Sequence, residues 1–435
     1  MKKKVFIVGI LLLLLGVVLF IFWQMEEKVE KVEEKEEVLS TKEQLVSKLK
    51  DEEIDLSFID WIEEEYPSAL SELLLLLENN PYDENMWHKA TGYSYLVLND
   101  FYLKKYDSMD NVQVLDTNNP AVLSFVGDVS LADNWAIMPK YDERGKGIYG
   151  ILSEDVVDVM KKSDLMVANS EFTVSNRGRA MPGKLYTFRA RPERLAIYEE
   201  MGVDLVTLAN NHVYDFGGDA FLDMLDSFHE YQIPHIGAGR NLEEASRPYY
   251  FIINGYKVAF LSATRAEKYV LTPEATETQA GVFYCYDPTN MIQQIKKVRE
   301  ESDYVISLIH FGREGSHELE KEQVESARMY IEAGSDIVIG HHAHTLQGIE
   351  FYNHKPIIYN LGNFIFNSEV DDTVIFQMIL NEEGNLSYKM LPALQKNEYT
   401  DLLIGDGKLK VIQDLNSWSS NAFLDEDGVI TEKSQ

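Results

Sequence analysis

Cysteine is nearly missing from this chain. Cys285 is the only one in 435 residues, so neither an internal disulfide nor a cysteine-based metal site can form. A lone cysteine in an apolar and aromatic stretch reads as a packed side chain. Basic residues are also scarce: 40 Lys and Arg stand against 72 Asp and Glu, a formal charge of −32. With no basic stripe outside the first four residues, binding along a phosphate backbone is disfavoured and no nucleic acid is expected as a partner. No internal repeat is visible, and only one apolar run is long enough to span a bilayer.

That run is at the start. Val5 to Trp23 is nineteen residues without a charge, preceded by Met1-Lys2-Lys3-Lys4. As a helix it reaches about 28 Å, close to a hydrocarbon core of about 30 Å. A cleavable signal has a shorter apolar core of about 7–15 residues and small residues at the cut, whereas Ile21-Phe22-Trp23-Gln24-Met25 follows here. The expectation is an uncleaved single-pass anchor over 1–24, with the lysines inside the cell and the C-terminal domain outside. Residues 25–40, mostly Glu, Lys and Val, read as a charged stalk. Residues 41–118 read as a small helical region, with apolar spacing at Leu45, Leu49, Leu56, Ile59 and Ile62. An apolar content of 45% leaves ample core for a larger domain over 119–395 and a C-terminal extension over 396–435.

From Ala121 onward strands alternate with helices, an α/β pattern. Apolar runs end in Gly127-Asp128, in Asn169-Ser170-Glu171 and in Asn210-Asn211-His212. Later runs end at His310 and at His341-His342-Ala343-His344, and Asn254-Gly255 is a hairpin turn. Phe221, Met224, Leu225 and Phe228 mark one helix face, and Val324, Ala327 and Ile331 another. A Gly-Asp after a strand is usually a turn, and Asn-Asn-His is able to cap a helix. Taken together, Asp128, Glu171, Asn211, His310, His342 and His344 all fall at strand ends, which in a predominantly parallel sheet lie along one edge. Mixed carboxylate, amide and imidazole donors suit borderline divalent metals, and two ions about 3.5–4 Å apart need roughly this many side chains.

The ordered motifs Phe125-Val126-Gly127-Asp128-Val129, Ala168-Asn169-Ser170-Glu171, Leu208-Ala209-Asn210-Asn211-His212-Val213-Tyr214-Asp215, His310-Phe311-Gly312-Arg313-Glu314, Gly340-His341-His342-Ala343-His344 and Tyr359-Asn360-Leu361-Gly362-Asn363-Phe364 resemble the capsule-synthesis CapA family. That family is associated with poly-gamma-glutamate capsules and is similar in fold to calcineurin-like metallophosphoesterases. The resemblance spans about residues 120–370. It implies a four-layer α/β/β/α sandwich with two divalent metal ions, Mn, Fe or Zn, held by Asp128, Glu171 as bridging ligand, Asn211, His310, His342 and His344. It further implies that His212 protonates a leaving group. Asp215 either orients His212 or caps the helix beginning near Gly217.

Some positions depart from the family pattern. Asp133 stands where many relatives carry an Arg, removing a cationic substrate contact, while Ala343 replaces a common Pro and Asn360 a common Ser. The extra histidine leaves open whether His341 or His342 is the ligand; His342 is taken, with His341 behind it. Arg177, Arg179, Lys184, Arg189, Arg191 and Arg194 form a basic segment. It is either a salt-bridged loop or a recruiter of anionic substrate, with Arg189 as its substrate-facing member. Glu314 is either a substrate-orienting carboxylate or the start of the next helix, and Asn363 joins this supporting set. The expected function is a membrane-anchored, surface-exposed metal-dependent hydrolase of capsule polymer synthesis, export or processing. Its substrate is a polyanionic polymer or a phosphoester. The alternative is a non-enzymatic subunit of a capsule synthesis and export complex.

Overall fold

Four aspartates stand immediately ahead of four β-type runs: Asp164 before Leu165-Met166-Val167, Asp204 before Leu205-Val206-Thr207, Asp303 before Tyr304-Val305-Ile306 and Asp336 before Ile337-Val338-Ile339. Each carboxylate accepts a backbone N–H from the strand alongside, from Val122, Met166, Lys257 and Val305 at 2.8, 2.7, 2.7 and 2.8 Å. A buried amide needs an acceptor, and supplying it from the next strand's first residue sets the parallel register. The strands therefore start level at one edge, and their carboxyl ends gather at the other.

The computed structural model describes residues 111–267 and 271–433, together with 40–49 and single helical positions between 59 and 74. The chain divides into two units, 1–86 and 87–435. In the first, Thr41–Leu49 is helical, and Lys42 pairs with Asp60 and Glu63, each at 2.7 Å. The expected anchor over 1–24 and all of the expected stalk but its last residue lie outside the described residues. Among those described, no helix is long and apolar enough to cross a membrane.

The second unit is built on two mixed sheets. One runs Ala422–Leu424, Val429–Glu432, Leu386–Gln395, Asp371–Leu380, Ala121–Val129, Leu165–Ser170, Leu205–Thr207, His235–Ile236, with Asn363–Ile365 beside Ala121–Val129. The other runs Val112–Val114, Tyr249–Ile253, Tyr256–Thr264, Tyr304–Phe311, Ile337–His342, Lys355–Ile358, Ile349–Tyr352. Leu123, Phe125 and Phe376 from the first sheet pack against Phe260, Ile306 and Ile339 from the second. The Phe125 and Phe260 rings lie 6.4 Å apart.

The outer faces are covered by helices. Glu154–Lys162 and Gly218–Glu230 bury Val156, Met160, Phe221, Met224 and Phe228 on the first sheet, and Thr289–Arg299 and Lys321–Ala333 bury Met291, Ile295, Ala327 and Ile331 on the second. Apolar stripes of period 3.6 facing apolar strands produce this helix-sheet-sheet-helix layering.

Several elements differ from the sequence reading. The strand ends belong to two facing sheets, not to one sheet edge. His310 and His341 lie inside their strands, while His342 ends its own, because their buried backbones continue to pair beyond the apolar run. Val112–Val114, within the span read as helical, is an edge strand parallel to Tyr249–Ile253. Residues beyond 396 add strands to the first sheet and a helix, Gly405–Trp418, whose Val411, Ile412 and Leu415 enter the core between the sheets.

Candidate metal centre

A strand irregularity brings in Asp128. Between Phe125 and Asp128 the pairing with Leu165–Ser170 shifts register, a bulge that re-aims the side chains beyond it. Gly127 sits in this bulge, where a Cβ would lie 1.8 Å from the Gly362 carbonyl oxygen. That close approach lets the Asp128 N–H donate to the same carbonyl at 2.9 Å. Glu171 follows its strand two residues after Asn169, so both side chains point the same way. Asn211 sits in the turn after Leu205–Thr207. Its neighbour Asn210 ties that turn down by donating to the Ser170 carbonyl at 2.8 Å and accepting the His212 N–H at 3.0 Å.

The second sheet supplies the imidazoles. His310 and His342 come from adjacent parallel strands, with ring centroids 4.6 Å apart. His342 has φ of +90° and His344 +56°, a backbone region that costs a non-glycine residue roughly 1–3 kcal/mol. The turn carries His344 back over the first sheet. There its Nδ1 lies 3.1 Å from Asp128 Oδ2 and 2.9 Å from Asn363 Oδ1.

The six predicted ligands converge. Asp128, Glu171 and His310 form one group and Glu171, His342 and His344 another, with the ligand atoms of each group within 4.8 Å of one another. Glu171 Oε1 is 3.4 Å from His310 Nε2 and 3.7 Å from His344 Nε2. Asn211 Oδ1 is 2.8 Å from His310 Nε2.

Burial and the Asp128 charge hold the Glu171 carboxyl well above its usual range. Burial and the surrounding histidines push His310 well below the usual imidazole range, and burial carries His342 down to about 3. Asp128 is the exception: burial works to raise it, but the hydrogen bond and charge of His344 prevail and its pKa is lowered. Glu171 Oε1 and His342 Nδ1 are both buried without a hydrogen-bond partner. A His342 imidazole held neutral with an unpartnered Nδ1, beside the crowded buried carboxyls of Asp128 and Glu171, is what a divalent cation satisfies, so this donor set fits metal ions.

His212 and Asp215 lie beside this group. His212 Nδ1 is 2.8 Å from Asp215 Oδ2, and its Nε2 is 4.0 Å from Glu171 Oε1. The helix Gly218–Glu230 starts at Gly217 without a side-chain cap, so Asp215 is hydrogen-bonded to His212 and does not cap that helix. His341 turns away, its Nε2 3.3 Å from the Val126 carbonyl on the opposite sheet, and it belongs to neither ligand group. Glu314 is exposed in the loop ahead of Lys321–Ala333, which is capped by Glu320 and not by Glu314. Asn363 bridges His344 and Asp371.

Most of the basic segment is engaged with acids. Arg177 pairs with Asp223, while Arg191 and Arg194 pair with Asp133, and Arg194 also with Asp142. Arg189 lies over the Phe216 ring at 4.3 Å, outside the ligand groups.

Two residues were missed. Asn169 donates to Asp128 Oδ1 at 2.8 Å and to Glu171 Oε2 at 3.3 Å, and it accepts from Thr207 at 2.8 Å, linking the carboxylates to the next strand. Its two-residue spacing from Glu171 was the available signal. Along the chain Lys184 reads as one more member of the basic segment, although its side chain is only 4% exposed. Nothing in the local sequence separates it from the arginines.

The fold and site define a class: an α/β protein of two mixed sheets with a buried Asp, Glu, Asn and His cluster able to hold metal ions. Within that class the chain belongs to the family described as bacterial capsule synthesis protein PGA_cap, whose profile matches residues 122–368. It is 29% identical over 319 residues to the PGA biosynthesis protein CapA of Bacillus subtilis (strain 168), covering 71% of this chain and 81% of that one. It is 28% identical over 287 residues to the capsule biosynthesis protein CapA of Bacillus anthracis, covering 63% of this chain and 67% of that one. Among solved structures, a 5'-nucleotidase from Candida albicans SC5314 aligns over 64% of this chain and 53% of its own, with TM-score 0.34 and 11% identity. A likeness that loose carries no argument about chemistry.

Proposed function

We propose that this chain is a membrane-anchored, surface-exposed, metal-dependent hydrolase acting in the synthesis, export or processing of poly-gamma-glutamate or a related capsule polymer. The observation that carries this reading is the convergence of six donors from two sheets around the unpartnered Glu171 Oε1 and His342 Nδ1. Two groups sharing Glu171 match a pair of divalent ions, with Asp128, Asn211, His310, His342 and His344 as the remaining ligands. When bound there, such ions supply Lewis acidity towards a water molecule and the bond to be cut.

The chain's own groups position and exchange protons. Asp215 accepts the Nδ1–H of His212, which leaves Nε2 as the proton-exchanging atom on the side facing Glu171. Burial lowers the His212 pKa, so the resting imidazole is neutral and its Nε2 is an acceptor, which takes up a proton before it passes one to a leaving group. Asn169 holds both carboxylates in place, and Asn363 orients His344.

The second reading, a non-hydrolytic subunit of a capsule synthesis and export complex, is favoured by one observation. Arg191 and Arg194 are spent on Asp133, so these arginines offer no free clamp for an anionic substrate.

Elemental analysis of the purified full chain, coupled to turnover assays on an aryl phosphodiester and on gamma-linked glutamate polymer, separates the two readings. Asn211→Ala or His342→Ala is expected to lose most of the bound metal and all turnover. Unchanged metal content in both variants would remove the site assignment. Wild-type protein that binds metal but cleaves neither substrate, with capsule lost on deletion, would favour the second reading.

A further inference from the structure

Lys184 is buried in a loop whose neighbours face solvent. Its side chain is 4% exposed, while Leu185 beside it is 85% exposed and Tyr186 53%. An ammonium has three donors and no acceptor; two are hydrogen-bonded, to the Asn211 carbonyl and to Glu267, and the contact with Asp215 is an ion pair. Nζ lies 2.7 Å from Asp215 Oδ1 and 3.1 Å from Glu267 Oε2, and it donates to the Asn211 backbone carbonyl. The other Asp215 oxygen accepts the Phe188 N–H at 2.7 Å and meets His212 Nδ1 at 2.8 Å. The loop backbone is tied to the same place, because the Met181 N–H donates to the Asp215 carbonyl at 2.8 Å.

We infer that Lys184 is a positioning residue: its ammonium latches the 176–187 loop onto the Asp215 carboxylate and thereby holds His212 in the Nδ1–H form with Nε2 turned to the ligand cluster. The inference rests on the reading of His212 as the proton-exchanging group. A buried ion pair often contributes little net stability against an apolar replacement, so stability alone does not account for a lysine here. Position does: Lys184 joins the carboxylate that orients His212, the backbone of the Asn211 turn and the segment bearing Glu267. Without it, Asp215 keeps Phe188 as its backbone anchor on one oxygen and loses the restraint on the other. The carboxylate is then free to rotate away from Nδ1.

The test uses the full chain with 15N-labelled histidine, His212 being assigned by its disappearance in His212→Gln. Wild type is expected to show the Nδ1–H tautomer, and Lys184→Met a mixture of both, with bound metal unchanged by elemental analysis. Chymotryptic cleavage after Leu185 or Tyr186 should be about tenfold faster in Lys184→Met, since cleavage reports local opening of the loop. Lys184→Arg, which keeps the charge, should restore the wild-type tautomer. If Lys184→Met does not fold, Glu267→Gln carries the test, with cleavage faster than wild type and the tautomer retained. A wild-type tautomer and cleavage rate in Lys184→Met, or a wild-type cleavage rate in Glu267→Gln, would overturn the latch. Absence of any hydrolysis by wild type, with the tautomer shift present, would instead count against the hydrolase reading alone.

Discussion

At residue scale, the backbone of the ligand loop records a conflict between chemistry and conformation. His342 adopts φ of +90° with its Nδ1 buried and unpartnered, so its surroundings hold this residue in a backbone conformation that is costly for a side chain with a Cβ. Glycine adopts positive φ freely, whereas a Cβ there costs about 1–2 kcal/mol. In metal-free protein, His342→Gly is therefore expected to be more stable than His342→Ala by about 1 kcal/mol in urea titrations. Equal midpoints would show that the backbone at 342 relaxes once the imidazole is removed. The sequence already placed the three histidines together, but it left His341 and His342 open. The choice follows from strand pleating, since His341 reaches across to the Val126 carbonyl while His342 faces Glu171.

At the scale of elements, the aspartates at the strand starts set the register that brings the opposite ends together. Asp204 accepts the Met166 N–H at 2.7 Å, and burial holds its carboxyl up to about 6, above an unfolded value of about 3.9. A raised acid favours folding in its protonated form. Its contribution is therefore full below pH about 4 and is lost as pH rises through about 6. Asp204→Asn keeps an acceptor for Met166 without the charge. The variant should match wild type below pH 4 and gain stability over it between pH 4 and 6, holding that gain at neutral pH. Denaturation midpoints across this range check the prediction, and a pH-independent difference would show that Asp204 does not titrate there. The strand positions were legible in the sequence because apolar runs bounded by polar residues are a local signal. The bulge at Gly127 was not, because it depends on the Gly362 backbone crossing 235 positions later, an approach that only pairing in three dimensions creates.

At the scale of the molecule, the C-terminal residues are part of the sandwich. Val411, Ile412, Leu415, Ala422, Leu424 and Ile430 are all buried in the core between the sheets. The larger of these side chains contribute about 1.5–3 kcal/mol each when buried, and their sum rivals the 5–15 kcal/mol that holds a typical domain together. A chain ended after Gln395 is expected to lose its cooperative thermal transition in calorimetry. A sharp transition near the wild-type temperature would show that the sheets close without this region.

The alternation of strands and helices, the order of the motifs and their donor chemistry were legible along the chain, because these depend on local patterning and on residue type. Tertiary structure decided the rest. It split the strand ends between two facing sheets, chose His342 over His341, paired most of the arginines with aspartates and buried Lys184 against Asp215. Each of these depends on which distant backbone lies across a sheet or loop, and a charge reads the same along the chain whether water or a carboxylate faces it.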